Sequence, residues 1–103
     1  MRKIPDELRE DMANDPFYKS CCVANEYCRG KIEWHHNLIY AGRQVNEKWC
    51  ILPVCHWHHE HEKEKFIGDK LDYIMLGRVT DEVLSNYCKA VNWLAIKHKL
   101  YGN

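Results

Sequence analysis

Histidines are concentrated in two short windows of this 103-residue chain. The first window reads E-W-H-H-N-L over 33–38, and the second reads V-C-H-W-H-H-E-H-E over 54–62. Six of the chain's seven histidines lie in these windows. Neutral imidazole is a common metal ligand, and its pKa makes it a general base near neutral pH. The clustering therefore indicates metal binding, acid–base catalysis or both.

Cysteines accompany these windows at spacings typical of zinc sites. Cys22 and Cys28 form a C-x5-C pair, and Cys55 and His58 form a C-x2-H pair further along the chain. Tetrahedral Zn²⁺ takes four such ligands from two chain turns, so these residues predict a structural zinc site. The five-residue gap is longer than usual, which leaves Cys21 as an alternative to Cys22. The other interpretation is that the cysteines are ordinary small core residues.

The other histidines of these windows are expected to face away from the zinc site. Adjacent helical residues differ by about 100° in direction, so His59 points elsewhere if His58 binds zinc. His35 and His36 lie on opposite faces of a strand. One histidine from each window is then expected to meet the other across the hairpin and the helix start. Three imidazoles beside a closed zinc site favour a functional role over a structural one.

The hydrophobic pattern predicts a β-hairpin with a long tip and flanking helices. Trp34 and Trp49 are expected to face each other across its strands. Thr80 is expected to cap the last helix. The expected elements are a helix over 5–14, a loop over 17–31, a strand over 31–34 that continues over 37–41, a second strand over 49–54, a helix from His58 to Gly68, an apolar helical segment over 69–76 and a packing helix over 80–100.

The composition predicts one small domain without net charge. The chain has 15 basic and 15 acidic residues, which argues only against strong nonspecific adhesion. The N-terminal sequence M-R-K-I-P-D-E-L-R-E-D-M lacks the apolar segment of a signal peptide, and no run of about 18 apolar residues predicts a membrane span. We therefore expect a cytoplasmic protein that uses some of its six cysteines to bind metal, rather than forming disulfides.

Together these motifs resemble a known family. The segment E-W-H-H at 33–36, followed by a hairpin and P-V-C-H-W-H-H at 53–59, resembles the ββα-metal motif of HNH nucleases, especially their small zinc-stapled phage and bacterial members. The likeness covers roughly residues 21–66 of a single domain spanning 1–103. It implies an α+β, treble-clef-like hairpin–helix core with a structural zinc and flanking helices. The implied function is metal-dependent hydrolysis of DNA in the cytoplasm of a bacterium or a phage-infected host cell.

The resemblance also implies roles for individual histidines. His36 matches the general base of the family, and His35 matches the metal ligand that precedes it. His59 matches the second ligand of the catalytic divalent ion, which is Mg²⁺ or Mn²⁺, with other transition metals tolerated. The middle asparagine of the family falls at Cys50 here. Asn46 in the hairpin tip is the alternative for its loop-ordering role.

The substrate and partners are also expectations from the resemblance. DNA phosphates are expected to contact basic residues of the loop, hairpin and helix, namely Lys31, Arg43, Lys48 and Lys63. Trp57 is expected to pack against the zinc site, with stacking on a base as the alternative. Phage or host recombination or packaging proteins are possible partners.

Two other functions compete with a nuclease. One is a non-catalytic zinc-binding module that binds nucleic acid or protein. The other is a zinc hydrolase of the HExxH type, which the spacing excludes. Lys63 lies four residues after His59, and Glu62 lies four residues after His58, so no i,i+4 histidine pair forms there.

Overall fold

An antiparallel hairpin lies at the centre of the fold. Its strands are β1 (Ile32–His36) and β4 (Ile51–Cys55), and Trp34 lies opposite Pro53. The computed structural model describes residues 3–102, and in this range the protein is α+β with two small two-stranded sheets and several helices. The predicted hairpin and the α+β class are confirmed.

The other elements surround this hairpin or extend its tip. None of the helices within residues 3–102 is long and apolar enough to cross a membrane. In chain order these elements are α1 (Asp6–Ala13), a 3-10 turn (Pro16–Lys19), β2 (Ile39–Tyr40), β3 (Arg43–Gln44), a second 3-10 turn (Lys48–Cys50), α2 (His56–Glu60), α3 (Lys65–Leu76), α4 (Asp81–Leu84), a third 3-10 turn (Ser85–Tyr87) and α5 (Trp93–Tyr101).

Each face of the hairpin is covered by a different part of the chain. Ile51 and Trp34 pack on one face with residues of α1 and the turn after it, including Met12. Leu52 and Val54 pack on the other face with the apolar stripe of α3. Because both faces are covered, all five residues of β4 are buried, which explains its continuous apolar sequence.

The helix predicted from His58 onwards is interrupted. It begins earlier, at His56, and ends at Glu60, and a new helix starts at Lys65. The His61 ring stacks on Trp57 with ring centroids 3.9 Å apart, and its Nδ1 lies 2.7 Å from the Trp57 carbonyl oxygen. This local interaction accompanies the end of α2. The expected break at Gly68 does not occur, because α3 passes through it.

The C-terminal helix predicted over 80–100 is also divided. Thr80 caps α4 as predicted, since its side chain accepts a hydrogen bond from the Val83 N–H at 3.2 Å. The chain leaves the helical path after Leu84, and a second cap begins α5, where the Asn92 side chain accepts from the Ala95 N–H at 3.2 Å. Two N-caps therefore define two short helices in place of one.

The predicted contact between Trp34 and Trp49 is wrong. The second strand begins at Ile51, so Trp49 lies in the preceding 3-10 turn and has no partner position on β1. Its ring packs edge-on against Tyr87, with centroids 5.6 Å apart.

The two sides of α3 give a matched test of this packing. Leu71 is 1% exposed in the core, whereas Phe66 on the same helix is 57% exposed. We expect Leu71→Ala to lower the free energy of unfolding by about 2–5 kcal/mol, because it leaves a cavity. Phe66→Ala should change it by less than about 1 kcal/mol. Urea unfolding of the zinc-loaded variants measures both, and equal losses would contradict this core assignment.

Candidate functional site

Three cysteines and a histidine converge beneath the start of α2. Their ligand atoms all lie within 4.8 Å of one another, and the group is Cys21, Cys28, Cys55 and His58. The three sulfurs lie 3.4, 3.7 and 3.1 Å from the Nδ1 atom of His58. Sulfur and nitrogen ligands of one tetrahedral zinc are about 3.5 Å apart, given Zn–S and Zn–N bonds of about 2.3 and 2.0 Å. The geometry and the donor set therefore suit a structural metal such as zinc.

The assignment of Cys22 to this site requires correction in favour of Cys21. Cys22 lies outside the group. Its backbone N–H donates to the Pro53 carbonyl at 2.9 Å, and its side chain packs against the hydrophobic core. Burial raises the pKa of the Cys22 thiol to about 12, which keeps it protonated. Adjacent side chains point in different directions, so only one of this pair can reach His58.

His58 is fully buried and held in one tautomer. Its Nε2–H donates to the Asn25 side-chain oxygen at 2.9 Å. The lone pair of Nδ1 therefore faces the three sulfurs. Burial lowers the pKa of His58, so the ring stays neutral as metal binding requires. The Arg29 backbone N–H donates to the Cys55 sulfur at 3.4 Å, which favours its thiolate.

Trp57 packs beside this group, as predicted. Its ring stacks on those of Tyr27 and His61, with centroid distances of 5.1 and 3.9 Å. It also meets the His58 ring edge-on at 5.1 Å. These contacts occupy much of the indole, which fits packing better than stacking on a nucleobase.

A second group joins the two histidine-rich windows of the sequence. His35 on β1, His59 on α2 and Glu62 after α2 place one ligand atom each within 4.8 Å of the others. Glu62 Oε2 lies 2.8 Å from His35 Nδ1 and 3.6 Å from His59 Nε2. Ligands at right angles around one ion are about 3 Å apart for bonds of about 2.1 Å. These distances therefore fit a shared cation.

Hydrogen bonds on the far side of each ring fix which nitrogen carries the proton. His35 Nε2–H donates to the Asn37 side-chain oxygen at 3.1 Å. His59 Nδ1–H donates to Glu33 Oε1 at 2.7 Å. Each ring then turns an unprotonated nitrogen toward Glu62. Burial lowers the pKa of His35, which keeps that ring neutral.

In these tautomers three acceptor atoms converge. The buried Glu62 Oε2 has no hydrogen-bond partner in the described part of the chain, although both imidazoles are close. Acceptors at such distances repel one another unless a cation lies between them. The residues thus fit a divalent ion with two imidazole ligands and one carboxylate.

The histidine orientations are supported from a third helix. The Asn37 amide nitrogen donates to Asp72 Oδ1 on α3 at 3.0 Å, which turns the amide oxygen toward His35. Glu33 has a similar role for α2, because its second oxygen lies 2.8 Å from Nδ1 of His56. Such outer partners orient metal ligands in known sites.

His36 lies on the opposite face of β1 from His35. Its Nε2–H donates to the Asn46 side-chain oxygen at 2.7 Å. The Asn46 amide nitrogen donates to the Lys3 carbonyl at 3.1 Å, which fixes the direction of the amide. Asn46, the predicted alternative to the family's loop asparagine, therefore contacts His36. Cys50 is buried instead, and its thiol faces the carbonyls of Val45 and Glu47.

Both faces of β1 open into one cavity of about 540 Å³. His36 enters its wall from one face, and the second candidate metal group enters from the other. The residues that line this cavity are Lys3, Ile4, Arg9, Trp34, His35, His36, Ile39, Gln44, His59 and Glu62. His36 and the second candidate metal group therefore line the same cavity.

The four predicted DNA-binding residues do not surround this cavity. Lys31, Arg43 and Lys63 are exposed on the loop, the hairpin tip and the segment after α2. The Lys48 ammonium lies 3.1 Å from Asp11 and 2.9 Å from Asp15. A phosphate at Lys48 would have to displace these carboxylates.

No protein-family model, curated protein or solved structure matches this chain. The geometry of the two residue groups is therefore the basis on which a function can be proposed. The structure shows the α+β class and a Cys3His group that can hold a metal.

Sequence reasoning missed the carboxylate of the second group and the two carboxylates that support it. Glu62 lies three residues after His59, a spacing that brings side chains together on one helical turn, and this was the available signal. Glu33 precedes His35 by two residues and so shares its face of the strand. Asp72 is 35 residues from Asn37, and no local pattern indicates that contact.

Neighbouring cysteines provide a matched test of the first site. We expect Cys21→Ser to lose bound zinc and to lower the melting temperature by at least about 10 °C, because it removes a ligand from a structural site. Cys22→Ser should keep its zinc. Elemental analysis after dialysis against a chelator, with thermal melting, measures both. Zinc loss in Cys22→Ser alone would restore the original assignment.

Proposed function

We propose that this protein is a metal-dependent endonuclease that hydrolyses phosphodiester bonds of DNA. In this proposal the hairpin and α2 form a ββα-metal core of the HNH type, stapled by a structural zinc. The observation that carries the proposal is the shared cavity, where the imidazole of His36 and a three-acceptor group meet. The sequence resemblance supports the same reaction.

The divalent ion would be held by His35, His59 and Glu62. When bound, it supplies charge stabilisation to the scissile phosphate and to the leaving oxygen. The sequence alone suggested two neutral imidazoles, which form a soft site. The carboxylate adds a negative charge and a hard oxygen ligand, which suits Mg²⁺ or Mn²⁺ better. Three protein ligands leave coordination positions for water and substrate.

His36 would act as the general base. Its Nε2–H donates a hydrogen bond to the Asn46 side chain, which leaves the Nδ1 lone pair to take a proton from the attacking water. Because the opposite face of β1 carries His35, this base does not compete for the metal. Asn46 would also prevent rotation of the ring, which keeps the basic nitrogen in place.

The zinc would supply stability that the small core does not. The Cys3His group fastens the loop before β1 to the end of β4 and the first turn of α2. Small domains commonly use such a metal in place of additional core. In this proposal the zinc takes no part in the reaction and positions α2, from which His59 extends.

A non-catalytic zinc-binding module is the competing function. The observation that favours it is the Cys3His group, which by itself suits a structural role. Metal counting separates the two functions. A module binds one metal ion per chain, whereas the proposed nuclease binds one tight zinc and one exchangeable divalent ion.

Two glutamates near α2 test the second metal group. We expect Glu62→Gln to weaken Mn²⁺ binding by at least about 100-fold, since even outer partners of metal ligands contribute about 10–100-fold. Glu60→Gln is the control, because within residues 3–102 the one ion pair of Glu60 is with His56 and its side chain is 61% exposed. Titration calorimetry on zinc-loaded protein measures the affinity. Equal Mn²⁺ affinities in both variants would place the divalent ion elsewhere.

Replacement of His36 tests the reaction itself. We expect His36→Ala to cut supercoiled plasmid about 10²–10⁴-fold more slowly in Mg²⁺, the usual contribution of a positioned general base. Zinc content and melting temperature should stay at the parental values. His98→Ala is the control, because His98 lies on α5 and bonds Asp81. A folded His36→Ala that cuts at the parental rate would rule out this base, and a parental protein that never cuts would favour the zinc module.

A further inference from the structure

Two basic residues form the N-terminal wall of the cavity beside His36. Lys3 and Arg9 are exposed and line it together with Trp34 of β1. Within residues 3–102 neither basic side chain forms an ion pair. Among the cavity-lining residues, the one carboxylate is that of Glu62, which belongs to the candidate metal group. The wall is therefore cationic, and it becomes more so when a divalent ion neutralises that carboxylate.

Arg9 is held over an aromatic ring. Its guanidinium carbon lies 5.5 Å from the centre of the Trp34 ring, within the range of a cation–π contact. Trp34 is itself fixed, because it lies opposite Pro53 and meets the Tyr18 ring edge-on at 6.4 Å. A stacked guanidinium keeps its N–H donors available at its edge, in a planar fork that matches phosphate.

The spacing along β1 relates this cation to the proposed reaction. Trp34 and His36 are two residues apart on one face of the strand, which corresponds to about 7 Å. Neighbouring phosphates of one DNA strand are separated by about 3.4 Å along the helix axis. A guanidinium stacked on Trp34 can therefore reach a phosphate one or two nucleotides from one placed beside His36.

We propose that Arg9, oriented by Trp34 and assisted by Lys3, binds a DNA phosphate next to the one that is cleaved. This inference rests on the proposed function, because it takes DNA as the occupant of the cavity. It assigns binding of the DNA backbone to the segment around α1, which lies outside the region of roughly residues 21–66 that resembles the HNH motif. Lys48, which is engaged by two carboxylates, is not needed for it.

The salt dependence of DNA binding tests this subsite. Affinity for a short fluorescent duplex is measured by anisotropy between about 50 and 200 mM NaCl, without added divalent ion so that no cleavage occurs. Arg9→Ala should weaken binding roughly eightfold at about 0.1 M salt and reduce the slope of log affinity against log salt by about 0.9. Lys99→Ala, which removes an equal charge from exposed α5, should leave both unchanged. Melting temperatures check that the variants are folded.

Arg9→Lys separates charge from orientation. We expect this variant to keep the parental slope while losing affinity, because lysine retains the charge but not the planar fork stacked on Trp34. Parental affinity in Arg9→Lys would overturn the role of Trp34.

Plasmid cleavage by the same preparations distinguishes the two proposals. A slope that is reduced in Arg9→Ala but not in Lys99→Ala supports the subsite. If the parental protein also leaves plasmid uncut in Mg²⁺, only the nuclease proposal fails. A parental slope in Arg9→Ala overturns the subsite, and so does a parental protein that does not bind the duplex at low salt. In either case plasmid cleavage would leave the nuclease proposal standing.

Discussion

The alternation of side chains along β1 is the constraint on which this molecule depends. Glu33 and His35 point toward α2 and α3, while Trp34 and His36 point toward the N-terminal segment. A shift of one residue in the pairing with β4 would exchange the two sets. The register is fixed on both sides, because β4 buries apolar side chains against two separate clusters. The same packing that forms the core therefore places the adjacent residues His35 and His36 on opposite faces of the hairpin, in different surroundings.

Hydrogen bonds then decide what each imidazole can do. In His35, His36, His58 and His59 one ring N–H donates a hydrogen bond to an amide or carboxylate oxygen. In every case the other nitrogen is left with its lone pair. For His58 that lone pair faces three sulfurs, and for His35 and His59 it faces a carboxylate. Identical side chains thus become a candidate zinc ligand, a pair of candidate ligands for a harder ion and a candidate base through their acceptors alone.

Much of this arrangement was readable from local sequence. The hairpin, the Thr80 cap and a Cys/His metal site follow from apolar runs, capping residues and ligand spacing. The sequence could not decide between Cys21 and Cys22, because that choice depends on which backbone N–H reaches Pro53. It also could not predict the break after α2, where an aromatic stack competes with helix continuation, or the contact of Asp72 with Asn37. These outcomes depend on tertiary neighbours rather than on periodicity.

The brevity of α2 has a consequence for metal binding. This helix has five residues, and a helix so short has little stability of its own. It nevertheless carries His58 of the Cys3His group next to His59 of the second group. An ion that orders this turn at one site lowers the entropic cost of binding at the other. The two sites are therefore expected to be thermodynamically linked, and such linkage is reciprocal: occupancy of the second site must tighten the first by the same factor.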